Sequence, residues 1–541
     1  MTTSPLLDFQ YPGTCQCFQL YICTMRLILL FHTPPMSVTS LDAFAVAFCT
    51  LFTVGVWRYR KSRRLPPGPP ATLLGNAHHI PRTEPWIAFK KFADQYASPM
   101  ICLWMFNSET FILSDYPTAT ALLDHRSSIY SSRPTFWMSG YLAGRTDNVF
   151  VTKTTNSRFK IYRTLLHKTL NPRAIQTYRA LQITECQTLL RGLLETPDDF
   201  IPHLRRNAIA IIMNVAYGYQ VNSNDDKFVN ILEGTFRLGG ILNSPGKYWV
   251  EFLPILRYVP EWLPGAGFKK LARNLGKEMG RLENVPYNWA ISQVSTGSYN
   301  ESFVSDHAQD KKFAPTPEER EDILKWCAAA LYVGGGDTTV SVMTTFFLLM
   351  ARHPEIQEQA RKEIDSVLGG NMATHNDQTS LPYINAMTKE VLRWGPVVPL
   401  GIVHQVTQDD YFNGYFIPKD TRIVANIWAM AHDENVYPNP STFDLTRFLG
   451  EDQQMDPIKF IFGFGRRICP GMDLAEASLF INITNILANF IISKKRGEDG
   501  QTIEPEAQWT TGITAHLKPF PCQITPRSPN ALRSMLHANG R

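Results

Sequence analysis

The ten residues Phe462-Gly-Phe-Gly-Arg-Arg-Ile-Cys-Pro-Gly471 constrain the chain more than any other stretch. They set Phe462, Gly465, Arg467, Cys469 and Gly471 at the spacing F-x-x-G-x-R-x-C-x-G. Glycines let the backbone turn sharply and approach a flat ligand closely. Proline suits the first position of a helix, so Pro470 is predicted to open a helix through Ala475 and Leu479, with Cys469 at its N-terminus. Helix N–H groups and the helix dipole lower the pKa of a thiol there, making it available as a thiolate metal ligand. Arg467, two residues away, is placed to meet an anionic group on the same ligand. A buried structural cysteine in a glycine-rich turn is the weaker reading of so complete a pattern.

Elsewhere the apolar spacing is mainly helical, with helices predicted over Ser157–Leu170, Leu181–Leu194, Glu318–Arg352 and Asp473–Ile492. Strands are predicted over Phe111–Ser114 and Arg422–Ile427, and a polar surface loop over Ser295–Lys312. The Glu318–Arg352 helix is long enough to run through the middle of the fold, and it contains Gly334-Gly335-Gly336-Asp337-Thr338-Thr339. Each glycine inside a helix costs about 1 kcal/mol relative to alanine, so three in succession need a reason. One is a kink that lets a small ligand into the hydrogen-bond ladder; the plainer one is a helix-bending threonine beside a surface aspartate. Glu390 and Arg393 share one helical face at i,i+3. Such a pair is usually a solvated contact worth a few tenths of a kcal/mol.

The N-terminal region has a different character. Val38–Trp57 is a 20-residue, largely apolar run, about the length that crosses a bilayer. Arg58, Arg60, Lys61, Arg63 and Arg64 follow it directly, as behind a retained anchor rather than a cleaved signal peptide, and they place the rest of the chain in the cytoplasm. Formal net charge is +5 over 541 residues; these five cations leave the remainder near neutral, which speaks against nucleic acid as a partner. Phe18–Phe31 is too short to span and carries Arg26, so residues 1–35 read as an extension upstream of a start at Met36. The expected organisation is extension 1–35, transmembrane anchor 36–57, basic and proline-rich hinge 58–75, catalytic domain 76–525 and tail 526–541. An odd count of nine cysteines without framework spacing favours a reducing compartment. With 19% charged and 12% aromatic residues, a disordered scaffold is excluded, as are a disulfide mini-protein and a multi-span transporter.

Together these motifs resemble the cytochrome P-450 haem-thiolate monooxygenases. Gly334–Thr338 matches the family's [AG]-G-x-[DE]-T and Glu390–Arg393 its E-x-x-R. Phe443–Phe448 matches F-x-P-E-R-F except at Leu445 and Thr446, and Phe159–Arg163 matches W-x-x-x-R except at Phe159. The resemblance runs from about Pro66 to Thr525. It implies a mainly α fold with small β-sheets, the P-450 fold, behind one N-terminal transmembrane helix. It implies haem b with the Cys469 thiolate as axial ligand, contacted by Phe462, Arg467 and Gly335. Arg163 and His404 fall at propionate-contacting positions, although His404 also reads as a hydrogen-bonded loop histidine and Lys160 as a solvated residue. Asp337 and Thr338 fall on the acid–alcohol pair that delivers protons to bound oxygen. Glu390, Arg393 and Arg447 form a structural triad, with a turn before Arg447 that lacks the usual Pro-Glu.

The implied function is a monooxygenase that inserts one oxygen atom from O2 into a lipophilic small molecule. The nearest type is fungal, microsomal and of secondary metabolism, similar to O-methylsterigmatocystin oxidoreductase-like and tryptamine hydroxylase-like members. Electrons are expected from a separate NADPH–cytochrome reductase, since no G-x-G-x-x-G loop or flavin domain follows Thr525; Lys459 and Arg466 are candidate docking cations. The expected location is the endoplasmic reticulum membrane, single-pass, with a cytoplasmic catalytic domain. Positions expected near substrate are 136–148, Ala330, Val333, 398–402 and 512–514. Two alternatives stand beside this reading. A haem-thiolate isomerase or dehydratase needs no acid–alcohol pair, and a non-catalytic haem-binding membrane protein needs neither that pair nor an intact cysteine stretch.

Overall fold

The computed structural model describes Ala47 and residues 64–528, apart from 73–74, 106–107 and 244–246. The extension over 1–35, the anchor over 36–57 and residues 529–541 of the tail therefore lie outside the described residues, Ala47 excepted. Among the described residues no helix is long and apolar enough to cross a membrane.

The longer elements begin with α1 (Pro85–Gln95), followed by the hairpin of β1 (Met100–Met105) and β2 (Ser108–Leu113). Helices α2 (Arg158–Leu170), α3 (Arg179–Glu195), α4 (Phe200–Tyr217), α5 (Lys227–Leu242), α6 (Gly267–Met279) and α7 (Arg281–Thr296) come next. Then follow α8 (Pro317–Arg352), α9 (Pro354–Leu368) and α10 (Pro382–Trp394). Four short strands come after them: β3 (His404–Gln405), β4 (Asp410–Phe412), β5 (Tyr415–Ile417) and β6 (Arg422–Ala425). Helix α11 (Met472–Asn489), β7 (Phe490–Lys494) and β8 (Cys522–Pro526) close the fold. The main sheet has the order β1-β2-β6-β3, with β2 and β6 parallel. The fold is mainly helical with small sheets, as expected.

Helix α8 organises the rest. Thr316 caps it through the Glu319 N–H at 3.2 Å, Pro317 opens it, and Arg352 sits in its last turn. Its 36 residues give a rod of about 54 Å. From Val340 to Ala351 every residue is buried, so this half is enclosed on all sides, as a helix through the centre must be. The helix runs unbroken through 334–336. Two of the three glycines have a packing cause: a Cβ on Gly335 would stand 2.9 Å from Ile212 of α4, and one on Gly336 would stand 2.5 Å from Leu232 of α5. Close approach of neighbouring helices thus accounts for Gly335 and Gly336.

Three predicted boundaries need correction. The last long helix ends at Asn489 rather than Ile492, because Phe490 and Ile492 are buried while Ile491 is exposed, a period of two that pairs with β8. The predicted strand over Arg422–Ile427 stops at Ala425. There Asn426 accepts from the Ala429 N–H at 3.1 Å and caps a short helix, Ile427–Ala431. The polar stretch 295–312 contains a helix, Phe303–His307, opened by a Ser302–Ser305 capping box and burying Phe303, Val304 and His307. The proline segment is also more than a spacer. Cys102 N–H donates to the Pro67 carbonyl at 2.8 Å, and Asn76 Nδ2 donates to the Pro69 and Pro70 carbonyls at 3.1 Å. Residues 65–75 therefore belong to the packed unit that begins at Leu65.

Candidate active site

The cysteine stretch folds as a tight loop ahead of α11. Cys469 N–H donates to the Phe462 carbonyl at 2.8 Å, closing the loop, and Gly463 and Gly465 take φ of +81° and +50°. Only glycine adopts such angles without strain. At Gly465 a side chain is excluded twice over, since a Cβ would stand 2.3 Å from the Leu123 carbonyl oxygen, and the Gly465 N–H donates to Asp124. The loop is thereby pinned to the turn of helix at 120–125.

The helix itself starts later than predicted. Its cap is Gly471 and its first residue Met472, so Pro470 and Cys469 precede it. Burial pushes the Cys469 thiol up; the Gly471 N–H and the nearby Arg163 guanidinium act against that, and Asp473 adds to it. The protein alone therefore favours the neutral thiol, opposite to the prediction, and the thiolate needs a cation bound at sulfur.

Around this loop stands a cluster of cations. Arg467 donates through Nε to the Ser131 carbonyl at 2.9 Å and through Nη2 to the Thr152 carbonyl, with its guanidinium 4.3 Å from the centre of the Phe159 ring. Phe159, in place of the family's tryptophan, thus stacks on the arginine instead of donating a hydrogen bond. Arg163 donates to the Ile468 carbonyl at 2.8 Å. Arg133, not foreseen from sequence, is buried and donates to the carbonyls of Phe150 (3.0 Å), Val403 (2.8 Å) and Ile402. His404 Nδ1 lies 2.8 Å from the Tyr130 carbonyl. The main sheet brings these residues together, since Gln405 pairs with Ser132 while His404 pairs with Ile423 of β6.

Among the described residues none of these four groups has a carboxylate partner. Burial lowers the pKa of Arg133, Arg163 and Arg467, the last to about 9; repulsion from Arg467 pulls Arg133 further down, and repulsion from Arg163 does the same to Arg467. Burial together with Arg133 and Arg467 holds His404 well below the usual imidazole range. Buried charges are normally paired, so this cluster lacks an anion. A flat dianionic group with a metal facing Cys469 fits both features: the metal would take the sulfur and the carboxylates would take the arginines. His404 would donate from Nε2 only when protonated, which an adjacent carboxylate favours. Phe462 is half-buried and contributes its carbonyl to the loop. Gly335 directs its Cβ face at Ile212, so only its backbone is available to such a group.

On α8, the Thr338 hydroxyl donates to the Gly334 carbonyl at 2.7 Å. Asp337 Oδ2 accepts from Thr514 Oγ1 and lies 3.0 Å from His516 Nε2; both distances are 3.0 Å. Asp337 is thus not the solvated aspartate of the plainer reading. His516 was not foreseen from sequence. Within the segment 136–148, expected near substrate, Met138 is fully buried and Arg145 is paired with the buried Glu283. Phe150 instead lies beside Gly334, with its Cζ 3.9 Å from where a Cβ would be.

The triad is present and fully enclosed. Arg393 makes a bidentate contact with Glu390 at 2.6 and 2.7 Å, and Arg447 Nε stands 3.4 Å from the same carboxylate. The missing Pro-Glu before Arg447 is compensated, since Asp444 accepts from the Thr446 N–H at 3.0 Å and from its hydroxyl at 2.6 Å, while Leu445 is buried. Lys459 and Arg466 are exposed beside the cysteine loop.

Comparison with known proteins agrees with this geometry. The family model described as Cytochrome P450 matches residues 65–520. The chain is 39% identical to Cytochrome P450 monooxygenase 208 of Postia placenta over 91% of this chain and 96% of that protein. It is 35% identical to Cytochrome P450 monooxygenase claR of Ampulloclitocybe clavipes, over 92% of each chain. It is 33% identical to Tryptamine 4-monooxygenase of Psilocybe cyanescens, over 92% of this chain and 99% of that one.

Proposed function

From the premise that the chain belongs to the cytochrome P450 family and is a haem monooxygenase, we propose that it is a membrane-anchored enzyme that oxygenates a lipophilic small molecule in fungal secondary metabolism, fed by a separate NADPH-dependent reductase. The observation that carries the haem site is the set of buried Arg133 and His404 with half-buried Arg163 and Arg467, none of them with a carboxylate among the described residues, beside a cysteine whose thiol burial keeps neutral. Its test is the carbon monoxide difference spectrum of the reduced protein. A red-shifted thiolate-type band is expected, and folded protein without any haem band would retire the reading.

When bound, the haem supplies activation of O2 and insertion of one of its atoms into substrate. The chain's own residues do the rest. Cys469 holds the group from one side, while Arg133, Arg163 and Arg467 hold its acidic edge. Reduction of the second oxygen atom to water consumes protons, which the chain must deliver to the site. Thr338 already donates its hydroxyl hydrogen to Gly334, so its oxygen keeps lone pairs with which to accept from a water. Thr338→Ala is therefore expected to uncouple turnover: product per NADPH falls by up to about 100-fold, the lower end of general acid–base effects, and peroxide appears in its place. Unchanged coupling would remove Thr338 from this role. Exposed Lys459 and Arg466 support docking of an acidic reductase.

Membrane attachment has support independent of the N-terminal apolar run. Between α5 and α6, Leu253, Ile255, Tyr258 and Trp262 are 43%, 73%, 70% and 80% exposed, and Lys270 lies exposed nearby. Apolar and aromatic side chains flanked by lysine mark an interfacial surface. On vesicles with brominated acyl chains, wild-type emission should be quenched more than that of Trp262→Phe. Equal quenching would leave the patch in water. In cells the chain is expected in the endoplasmic reticulum fraction, resisting extraction at high pH.

A further inference from the structure

Asp337 does not stand alone behind Thr338. One of its oxygens is met by two side chains from the hairpin near residues 509–517, Thr514 and His516, each at 3.0 Å. That hairpin is fixed to the fold on both sides. Ala515 N–H donates to the Val397 carbonyl at 2.8 Å, and Ser341, one turn beyond Asp337 on α8, donates to the Ala515 carbonyl at 2.7 Å. His516 is also held by its backbone, its N–H donating to Thr510 Oγ1 at 3.0 Å and its carbonyl accepting from Thr510 N–H at 2.8 Å. The contact with Asp337 is thus imposed by fixed backbone on both partners. Burial is graded along the line, with the His516 side chain 29% exposed and that of Asp337 13% exposed.

We propose that His516 is a positioning and proton-supplying residue, the solvent-side end of a relay that runs through Asp337 to Thr338. This rests on the monooxygenase reading and extends it, because protons consumed at the buried site must enter from water. Imidazole changes charge nearest to neutral pH of all ordinary side chains, and His516 touches both solvent and the carboxylate. In the forward step the Nε2–H bond of imidazolium breaks as an Oδ2–H bond forms on Asp337, leaving neutral imidazole and neutral carboxylic acid. The Oδ2–H bond of Asp337 then breaks as a water between the two side chains takes that proton and gives one of its own to the Thr338 oxygen. Thr338 releases its hydroxyl hydrogen to the site, Asp337 returns to carboxylate, and a hydronium from bulk solvent reprotonates the imidazole. Thr514 contributes a second hydrogen bond that keeps Oδ2 facing His516. Other charged groups of the hairpin are occupied elsewhere: Lys518 Nζ donates to Gln508 Oε1 at 3.3 Å, and Glu506 accepts from Gln508 Nε2 at 2.7 Å. Among the described residues Asp337 is the one ion-pair partner of His516.

The deciding variant is His516→Gln in the full-length holoenzyme. Glutamine keeps an N–H for Asp337 but cannot carry the proton. The expected result is a kcat about tenfold lower with KM unchanged, a larger peroxide share, a larger solvent deuterium isotope effect, and loss of the pH dependence between about 5 and 8 where histidine titrates. Rescue of kcat, coupling and pH profile by glutamine would overturn the proposal and leave His516 a structural hydrogen bond. A second readout does not depend on turnover. In 15N spectra of the labelled full-length protein, the His516 ring should titrate, and Asp337→Asn should lower its midpoint; an unmoved midpoint contradicts the dyad. If the wild-type protein lacks a haem band, the monooxygenase reading fails, while the ring titration still decides whether His516 and Asp337 share a proton.

Discussion

Cys469→Ala is expected to abolish the thiolate-type carbon monoxide band of the reduced protein and to reduce product formation by more than the roughly 10–100-fold that follows loss of an outer-shell partner of a metal. Among the described residues every other cysteine is enclosed in the packing. Cys102, Cys186, Cys327 and Cys522 are all buried at 6% exposure or less. Burial raises the thiol pKa of Cys186 and Cys327, and that of Cys522 to about 12. The arginine cluster stays intact in this variant, so some haem should still be retained. The informative outcome is then a bound haem whose band has moved to shorter wavelength. Cys469→His separates ligand from cavity further: a shifted band with haem content near wild type confirms the position of the metal. A surviving red-shifted band in Cys469→Ala would defeat the assignment.

The pattern of what sequence could reveal follows contact range. The loop 462–471 was legible because its geometry is local: two glycines at positive φ and one backbone bond from Cys469 to Phe462 define it. The direction of the Cys469 pKa was not, because it depends on burial and on a helix that starts two residues later than its proline suggested. Arg133 lies in an ordinary Ser-Ser-Arg-Pro run. Only the bridge from Ser132 to Gln405, across 273 positions, places it beside His404. His516 is equally silent in sequence, and 179 residues separate it from Asp337. In each case the residue type is common, and its meaning comes from burial and from a partner far along the chain. The departures at Phe159 and at Leu445-Thr446 show the converse. Each looked like a weakened motif, yet the structure replaces the lost contact locally, by stacking on Arg467 and by the Asp444 cap.

Glu390→Ala is expected to have the largest effect on stability, about 3–5 kcal/mol. A solvated i,i+3 pair would be worth a few tenths of a kcal/mol, and exposure decides between these magnitudes. Glu390 and Arg393 are both 0% exposed and Arg447 is 4% exposed, so removing the carboxylate leaves two enclosed guanidiniums without a counter-charge. The loss also reaches the cysteine loop. Arg393 donates to the carbonyls of Ala431 at 2.8 Å and Thr442 at 3.3 Å, Arg447 donates to Asn439 at 3.0 Å, and the Asp444 N–H donates to Glu390 itself at 3.0 Å. These bonds anchor the run from 431 to 447 that leads into the loop carrying Cys469. Urea unfolding of holoprotein should therefore show an early midpoint for Glu390→Ala, with haem released in the same transition. Glu390→Gln keeps an acceptor for the Asp444 N–H and is expected to fall between that variant and wild type, which isolates the charge from the hydrogen bond. A Glu390→Ala midpoint within about 1 kcal/mol of wild type, the range of exposed pairs, would show that water reaches the triad and that its burial does not persist in solution.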